Sequence, residues 1–327
     1  MPKSEQCSAL KWTVLLFLPL LLLGGAAAAE AKTFKAAMVM PGVITDKSFN
    51  QSGYEAMMLA KEKLGIEVAY SEKVAQPDQP EALADYARRG FDVVIGHGGE
   101  FQDSVERIAK RYPDTTFLIT NGATPGGNIA VLRFKDEDLA FPLGYIAGKM
   151  SESGIGAFIG GQQIQFCLDQ QRGFANGFKY ARPDGKVLIA WTNDWDDVAK
   201  GKEAALTVIS QGADMLFANL DNAINGSYQA VREKGKWSFG LFYDAYRDWP
   251  DIILQSAVMS WKYAVFTLLK IATEHKLDPI VYRIGHEVPE AAGLGTFNPA
   301  VPEELRAEVR QLVKDIMAGN IDTKTAR

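Results

Sequence analysis

Residues 34–40 read Phe-Lys-Ala-Ala-Met-Val-Met and residues 91–95 read Phe-Asp-Val-Val-Ile; around them short apolar runs alternate with amphipathic stretches. Apolar runs of four to eight residues bounded by turn residues read as buried strands, and apolar residues at i, i+3, i+4 and i+7 read as helices. Phe34–Met40 is therefore a strand, followed by a helix over Ser48–Leu64, a strand over Ile66–Tyr70 and a helix over Pro80–Arg89 that Gly90 closes. Phe91–Ile95, a helix over Phe101–Arg111 and Thr116–Thr120 continue the alternation. The order β-α-β-α-β-α-β predicts an α/β fold: a parallel sheet with helices on both faces.

After the strand Asn128–Phe134 the pattern begins again. Helices over Asp138–Met150, Gln170–Tyr180, Val198–Gln211 and Ile224–Glu233 alternate with strands Gly156–Ile159, Val187–Trp191, Met215–Ala218 and Ser238–Phe242. A late segment adds a strand at Ile252–Ser256, a helix at Ala257–Glu274, a strand at Ile280–Tyr282 and a last helix at Pro302–Met317. Two similar lobes are expected, although the letters carry no direct repeat. The first comprises 32–134 plus 251–283, and the second 135–250 plus 284–327. A chain crossing three times between lobes makes a hinge beside a cleft. Ligands of open α/β sheets sit at the carboxyl ends of the strands, so the loops after strands are where function is sought.

The first residues read differently. Lys3 and Lys11 precede the apolar run Trp12–Leu23, and small residues follow from Gly24 to Ala31. A membrane-spanning helix needs about 20 apolar residues, so this shorter run reads as a secretory signal peptide over 1–31, cleaved near Ala29 or Ala31. Cys7 lies ahead of the apolar run, so lipidation is not expected, and cleavage leaves Cys167 as the single thiol with no disulfide. A soluble protein exported to the periplasm follows, and a monomer is expected. Its formal charge of −5 and lack of Lys/Arg blocks speak against nucleic acid or an anionic membrane as partner.

Enzyme signatures are missing. There is neither G-x-S-x-G nor a phosphate-binding loop, and Gly154-Ile155-Gly156 leads into a strand. His97, His275 and His286 match no zinc spacing, and His97-Gly98-Gly99 lacks an accompanying nucleophile. Asp136-Glu137-Asp138 and Asp196-Asp197 each precede or open a helix, where acids complement the dipole or cap the first turn. No metal, cofactor or catalytic group is expected. Phe49 and Trp195, by contrast, stand on loops after strands in different lobes. They are either two core aromatics or two faces that close on a flat ligand.

The blocks Asp46-Lys47-Ser48-Phe49-Asn50-Gln51, Gly160-Gly161, Gly173-Phe174, Lys200-Gly201-Lys202-Glu203 and Gln211-Gly212-Ala213-Asp214 resemble the basic membrane protein family. These are substrate-binding proteins of ABC importers and include purine nucleoside receptors. The resemblance runs from about Phe34 to Ile321. It implies a type I periplasmic-binding-protein fold, with two Rossmann-like lobes and a three-strand hinge, an inner-membrane ABC permease as partner, and no catalysis. It also implies that Phe49 and Asn50 line the pocket and that Trp195 stacks on the opposite face of a base.

Three departures refine this expectation. Where relatives hold ribose hydroxyls with an Asp and a Lys, this chain has Phe242 and Met259, retaining only Asp244. Where relatives often place an Asp after the strand F-x-x-x-D, it has Asn121, which is either a turn residue before Gly122 or an amide that donates and accepts as the edge of adenine requires, although a rotated amide also fits hypoxanthine or guanine. Asn222 is a further candidate on a post-strand loop. The expected ligand is a free purine base, adenine favoured; the alternatives are a purine nucleoside, and, from another class, a periplasmic nucleoside hydrolase.

Overall fold

The computed structural model describes residues 33–45 and 49–325. The expected signal peptide lies outside these residues, as do Asp46, Lys47 and Ser48.

Strands β1 (Lys35–Val39), β2 (Glu67–Ser71), β3 (Val93–His97), β4 (Thr116–Thr120) and β5 (Ile129–Phe134) build the first sheet, with β11 (Val281–Ile284) added at its far edge. Its order is β11-β5-β4-β3-β1-β2 and every pair is parallel. Parallel strands covered on both faces read as continuous apolar runs, and every residue of β3 and β4 is buried. Along β1, Ala37 and Val39 face one core with Leu83 of α2 (Gln79–Arg88) and Val105 of α3 (Gln102–Ala109). Ala36 and Met38 face the other, with Met57 of α1 (Phe49–Leu64). The edge strand β2 has exposed and half-buried residues instead.

The second sheet repeats this plan. Strands β6 (Ile155–Gly160), β7 (Lys186–Trp191), β8 (Met215–Asn219), β9 (Trp237–Phe242) and β10 (Ile253–Met259) run in the order β10-β9-β8-β6-β7. A short β12 (Ala292–Leu294) pairs antiparallel to β10 and closes the far edge. The five successive strands of each sheet thus share one order, which the letters did not disclose. Helices α4 (Asp136–Met150) and α5 (Gln165–Ala181) pack together on one face, while α6 (Val198–Ser210) and α7 (Ile224–Glu233) cover the other. The last helix, α9 (Glu303–Met317), buries Leu305, Val309, Leu312 and Ile316, the stripe its spacing predicts.

The chain passes between the sheets three times: from β5 into α4, from β10 into α8 (Trp261–Glu274), and from β11 to β12. Helix α8 returns to the first lobe and packs on α1, where the Lys262 amide donates to Ser52 Oγ at 2.9 Å. One expectation is corrected here. Residues 257–259 are strand rather than helix, since Ala257 and Val258 pair in register with Leu241 and Phe242 of β9. The segment 251–259 consequently belongs to the second sheet, and the chain crosses at Ser260 instead of near 251. A buried apolar run of this length fits strand and helix equally; pairing on both edges decides it. The three-residue β12 was not foreseen because it is too short to carry a period.

Candidate functional site

Because nearly all pairs are parallel, the carboxyl ends of each sheet's strands lie along one edge, and the loops leaving them gather there. In the first lobe this edge carries Phe49, His97 and Asn121. Phe49 opens α1, and its ring lies face to face with His97 at 3.8 Å between centroids and 10° between planes. Trp261 meets the Phe49 ring edge-on at 5.5 Å. His97 ends β3 and is fully buried; its Nε2 is 2.9 Å from the Phe49 carbonyl oxygen and its Nδ1 is 3.0 Å from Thr120 Oγ1. A carbonyl only accepts, so Nε2 donates to it, and Nδ1 and the Thr120 hydroxyl share the second hydrogen bond. Asn50 Oδ1 accepts from the Gly42 amide at 3.2 Å, fastening the loop after β1 to α1. Asn121 follows β4 at φ 55°, a left-handed conformation that Asn tolerates. Its half-buried side chain makes no hydrogen bond among the described residues.

The second lobe presents Trp195, Asn222, Phe242 and Asp244. The loop holding Trp195 is braced from within. Asp194 accepts from the amides of Asp196 and Asp197 and from Lys200 Nζ at 2.9 Å. The Lys200 contact first, and those amides next, hold its carboxyl down at about 2. The Trp195 carbonyl accepts from the amides of Asp221 and Ala223, and Asn222 Nδ2 donates to the Asp196 carbonyl at 3.1 Å. The six-membered part of the indole lies against Gly161, where any Cβ would enter the ring. Phe166 lies nearly parallel to it, 6.1 Å between centroids. Phe242 ends β9 at φ 70°, a conformation that a bulky side chain adopts only under constraint. Asp244 accepts from the Thr296 amide at 3.0 Å and from the Thr296 hydroxyl at 2.6 Å.

Between the lobes, at the first two crossings, lies a buried polar cluster. Asp136 Oδ1 accepts from Gln170 Nε2 at 2.9 Å, and Gln170 Oε1 accepts from Asn219 Nδ2 at 2.7 Å. Met259 is 5 % exposed, with its Sδ 3.8 Å from Gln170 Nε2. Burial pushes the Asp136 carboxyl up to about 7, against the Gln170 amide and the Arg133 charge that favour its ionised form. Arg133 pairs with Asp169 at 3.2 Å, joining the last strand before the crossing to α5. Cys167 touches Asn219 Nδ2, and burial pushes its thiol up to about 12.

The family described as ABC transporter substrate-binding protein PnrA-like matches residues 33–278. The chain belongs to that family. Among its relatives, the purine-binding protein of Brucella abortus is 28% identical over 243 residues, 73% of this chain and 69% of that protein. The transcriptional activator protein med of Bacillus subtilis is 26% identical over 306 residues, covering 92% and 95%. A solute-binding protein of an ABC transporter system from Aeropyrum pernix superposes with a TM-score of 0.72 at 20% identity, covering 88% of this chain and 92% of the other. This last likeness bears on the fold, which is the type I periplasmic-binding arrangement.

As a member of this substrate-binding family the chain works with a solute and a membrane permease, outside the cytoplasmic membrane. The nucleoside hydrolase alternative finds no support in a family of solute-binding proteins. Among the described residues no helix is long and apolar enough to cross a membrane, and no group of His, Cys, Asp or Glu is arranged to hold a metal ion. Of the sequence-derived candidates, Phe49, Asn50 and Asn121 stand together at the first lobe's edge, and Trp195 and Asn222 on adjoining loops of the second. The rings of Phe49 and Trp195 make their aromatic contacts within their own lobes. Phe242 and Asp244 stand after β9, and Met259 sits in the hinge. Sequence reading weighed His97 only for zinc and esterase chemistry and passed over Asp194 and Gln170. His97 carried a signal, since it stands at a strand's carboxyl end before two glycines; Gln170 carried none, being one polar residue within an amphipathic helix.

Proposed function

We propose that this chain is a periplasmic binding protein that captures a free purine base, adenine favoured, between Phe49 and Trp195 and delivers it as a monomer to an inner-membrane ABC permease. Hinge closure brings the two rings onto opposite faces of the base and excludes water. Stacking on an aromatic ring is worth about 1–3 kcal/mol per base, so two rings supply a large part of the roughly 8 kcal/mol behind a micromolar Kd. Asn121, whose amide has no protein partner among the described residues, reads the edge of the base.

The observation that carries the choice of base over nucleoside is the state of the three positions expected to hold a pentose. Both carboxylate oxygens of Asp244 are engaged by Thr296, Met259 is buried against Gln170, and Phe242 contributes a ring instead of a carboxylate. A buried hydroxyl left without a partner costs about 1–3 kcal/mol, which disfavours an attached sugar. The purine-binding relative adds independent support for the ligand class. Calorimetry with adenine and adenosine tests the choice: adenine is expected to bind at least tenfold tighter, and equal or tighter adenosine binding rejects it. Incubation with adenosine followed by chromatography is expected to return it uncleaved.

A further inference from the structure

We infer that His97 is the positioning residue of the binding cleft, setting the Phe49 wall and the Asn121 edge reader at a fixed spacing. This rests on the proposed base-binding reading for its consequence, though not for its geometry. Three contacts meet on one imidazole. Its face supports the Phe49 ring at 3.8 Å; its Nε2 holds the Phe49 carbonyl, at the first residue of α1; its Nδ1 holds the hydroxyl of Thr120, the residue before Asn121. Wall and reader come from segments about seventy residues apart, and the β3 end is wedged between them.

The surroundings leave the imidazole little freedom. Trp261 meets it edge-on at 6.1 Å, and Gly53 lies so close that a Cβ there would stand 2.7 Å from Nε2. On the Asn121 side, a Cβ on Gly99 would lie 2.8 Å from the Asn121 carbonyl oxygen. With one face of Phe49 backed by His97, that ring can stack a ligand only on its other face. A phenylalanine at position 97 would preserve the stack but lose both hydrogen bonds; an alanine would lose all three contacts. Because His97 acts through Phe49 and Asn121 and does not itself read the base, its effect should shrink when the wall is already gone and only the Asn121 arm remains.

The test uses the full mature chain with His97→Ala, His97→Phe and Thr120→Val, alone and combined with Phe49→Ala. In the absence of ligand, hydrogen exchange should quicken at both the start of α1 and residues 120–122 in His97→Ala and His97→Phe. Thr120→Val, which removes only the hydroxyl and keeps the core filled, should quicken exchange at 120–122 alone. Adenine affinity should fall about tenfold or more in His97→Ala, recover in part in His97→Phe, and show a smaller further loss when His97→Ala is added to Phe49→Ala than when it is added to the parent. Unchanged exchange at both segments in folded variants, or fully additive losses in the double variant, overturns the inference. A parent protein that binds no purine base overturns the ligand reading instead, while the exchange measurement still decides the role of His97.

Discussion

Asp136→Asn isolates the cost of a carboxylate held inside the hinge. Asp136 is 3 % exposed, and burial raises its carboxyl from 3.8 to about 7. Between those values the folded protein keeps a proton that the unfolded chain has released. The contribution of this group is therefore fully present below the unfolded value and is lost as pH rises through the folded one. Each pH step across that window removes about 1.4 kcal/mol of stability, so from pH 5 to pH 8 the loss approaches about 3 kcal/mol. Asn keeps an oxygen for Gln170 Nε2 and carries no charge at any pH. Urea unfolding of both proteins at pH 5, 6, 7 and 8 should show the stability of the variant relative to the parent rising by that amount. A difference that stays flat, or one that shrinks towards pH 8, would refute the reasoning and place the charge in a well-solvated or well-paired setting.

Three further outcomes are expected. Trp195→Ala should weaken adenine binding roughly 10- to 100-fold, the equivalent of one lost stacking face, and Gly161→Ala should act in the same direction by displacing the indole; calorimetry giving parental affinity for both would remove Trp195 from the site. Phe242→Gly relieves a positive φ and empties space beside Asp244, so the ratio of adenosine to adenine affinity should rise about tenfold or more; an unchanged ratio would show that Phe242 does not exclude a pentose. Cys167, buried and with its thiol pushed up to about 12, should resist a thiol-labelling reagent at pH 8 in the folded protein and react once urea unfolds it; rapid labelling of the native state contradicts this.

The fold was largely legible because buried parallel strands leave uninterrupted apolar runs, such as Phe91–Ile95, between amphipathic helices. Where legibility failed, a local pattern had two readings: Ala257–Met259 is apolar enough for either element, and only its pairing with β9 makes it a strand. The candidate site residues were drawn from aromatics and amides on loops after strands, and the family resemblance assigned them roles. What supports them was not legible. The His97 platform and the contact of Asp136 with Gln170 link residues distant in sequence, and no local window shows those pairings; the Asp194 brace is local, within six residues, but its letters also read as ordinary capping. Asp136-Glu137-Asp138 shows the limit well. Its letters suggest dipole complementation at a helix start, but Asp136 and Glu137 are buried, the first against Gln170 and the second against Arg172 at 3.0 Å.

The largest apolar cluster runs unbroken from Met38 and Leu118 of one sheet through Trp261 and Leu143 to Phe217 and Phe239 of the other. Each half therefore keeps one private core and shares the other, and severing the chain at a crossing would strip greasy surface from both pieces at once. On the proposed closure mechanism, the halves would pivot on this common seam, so the strand tips would open to a solute while the oily middle stayed dry.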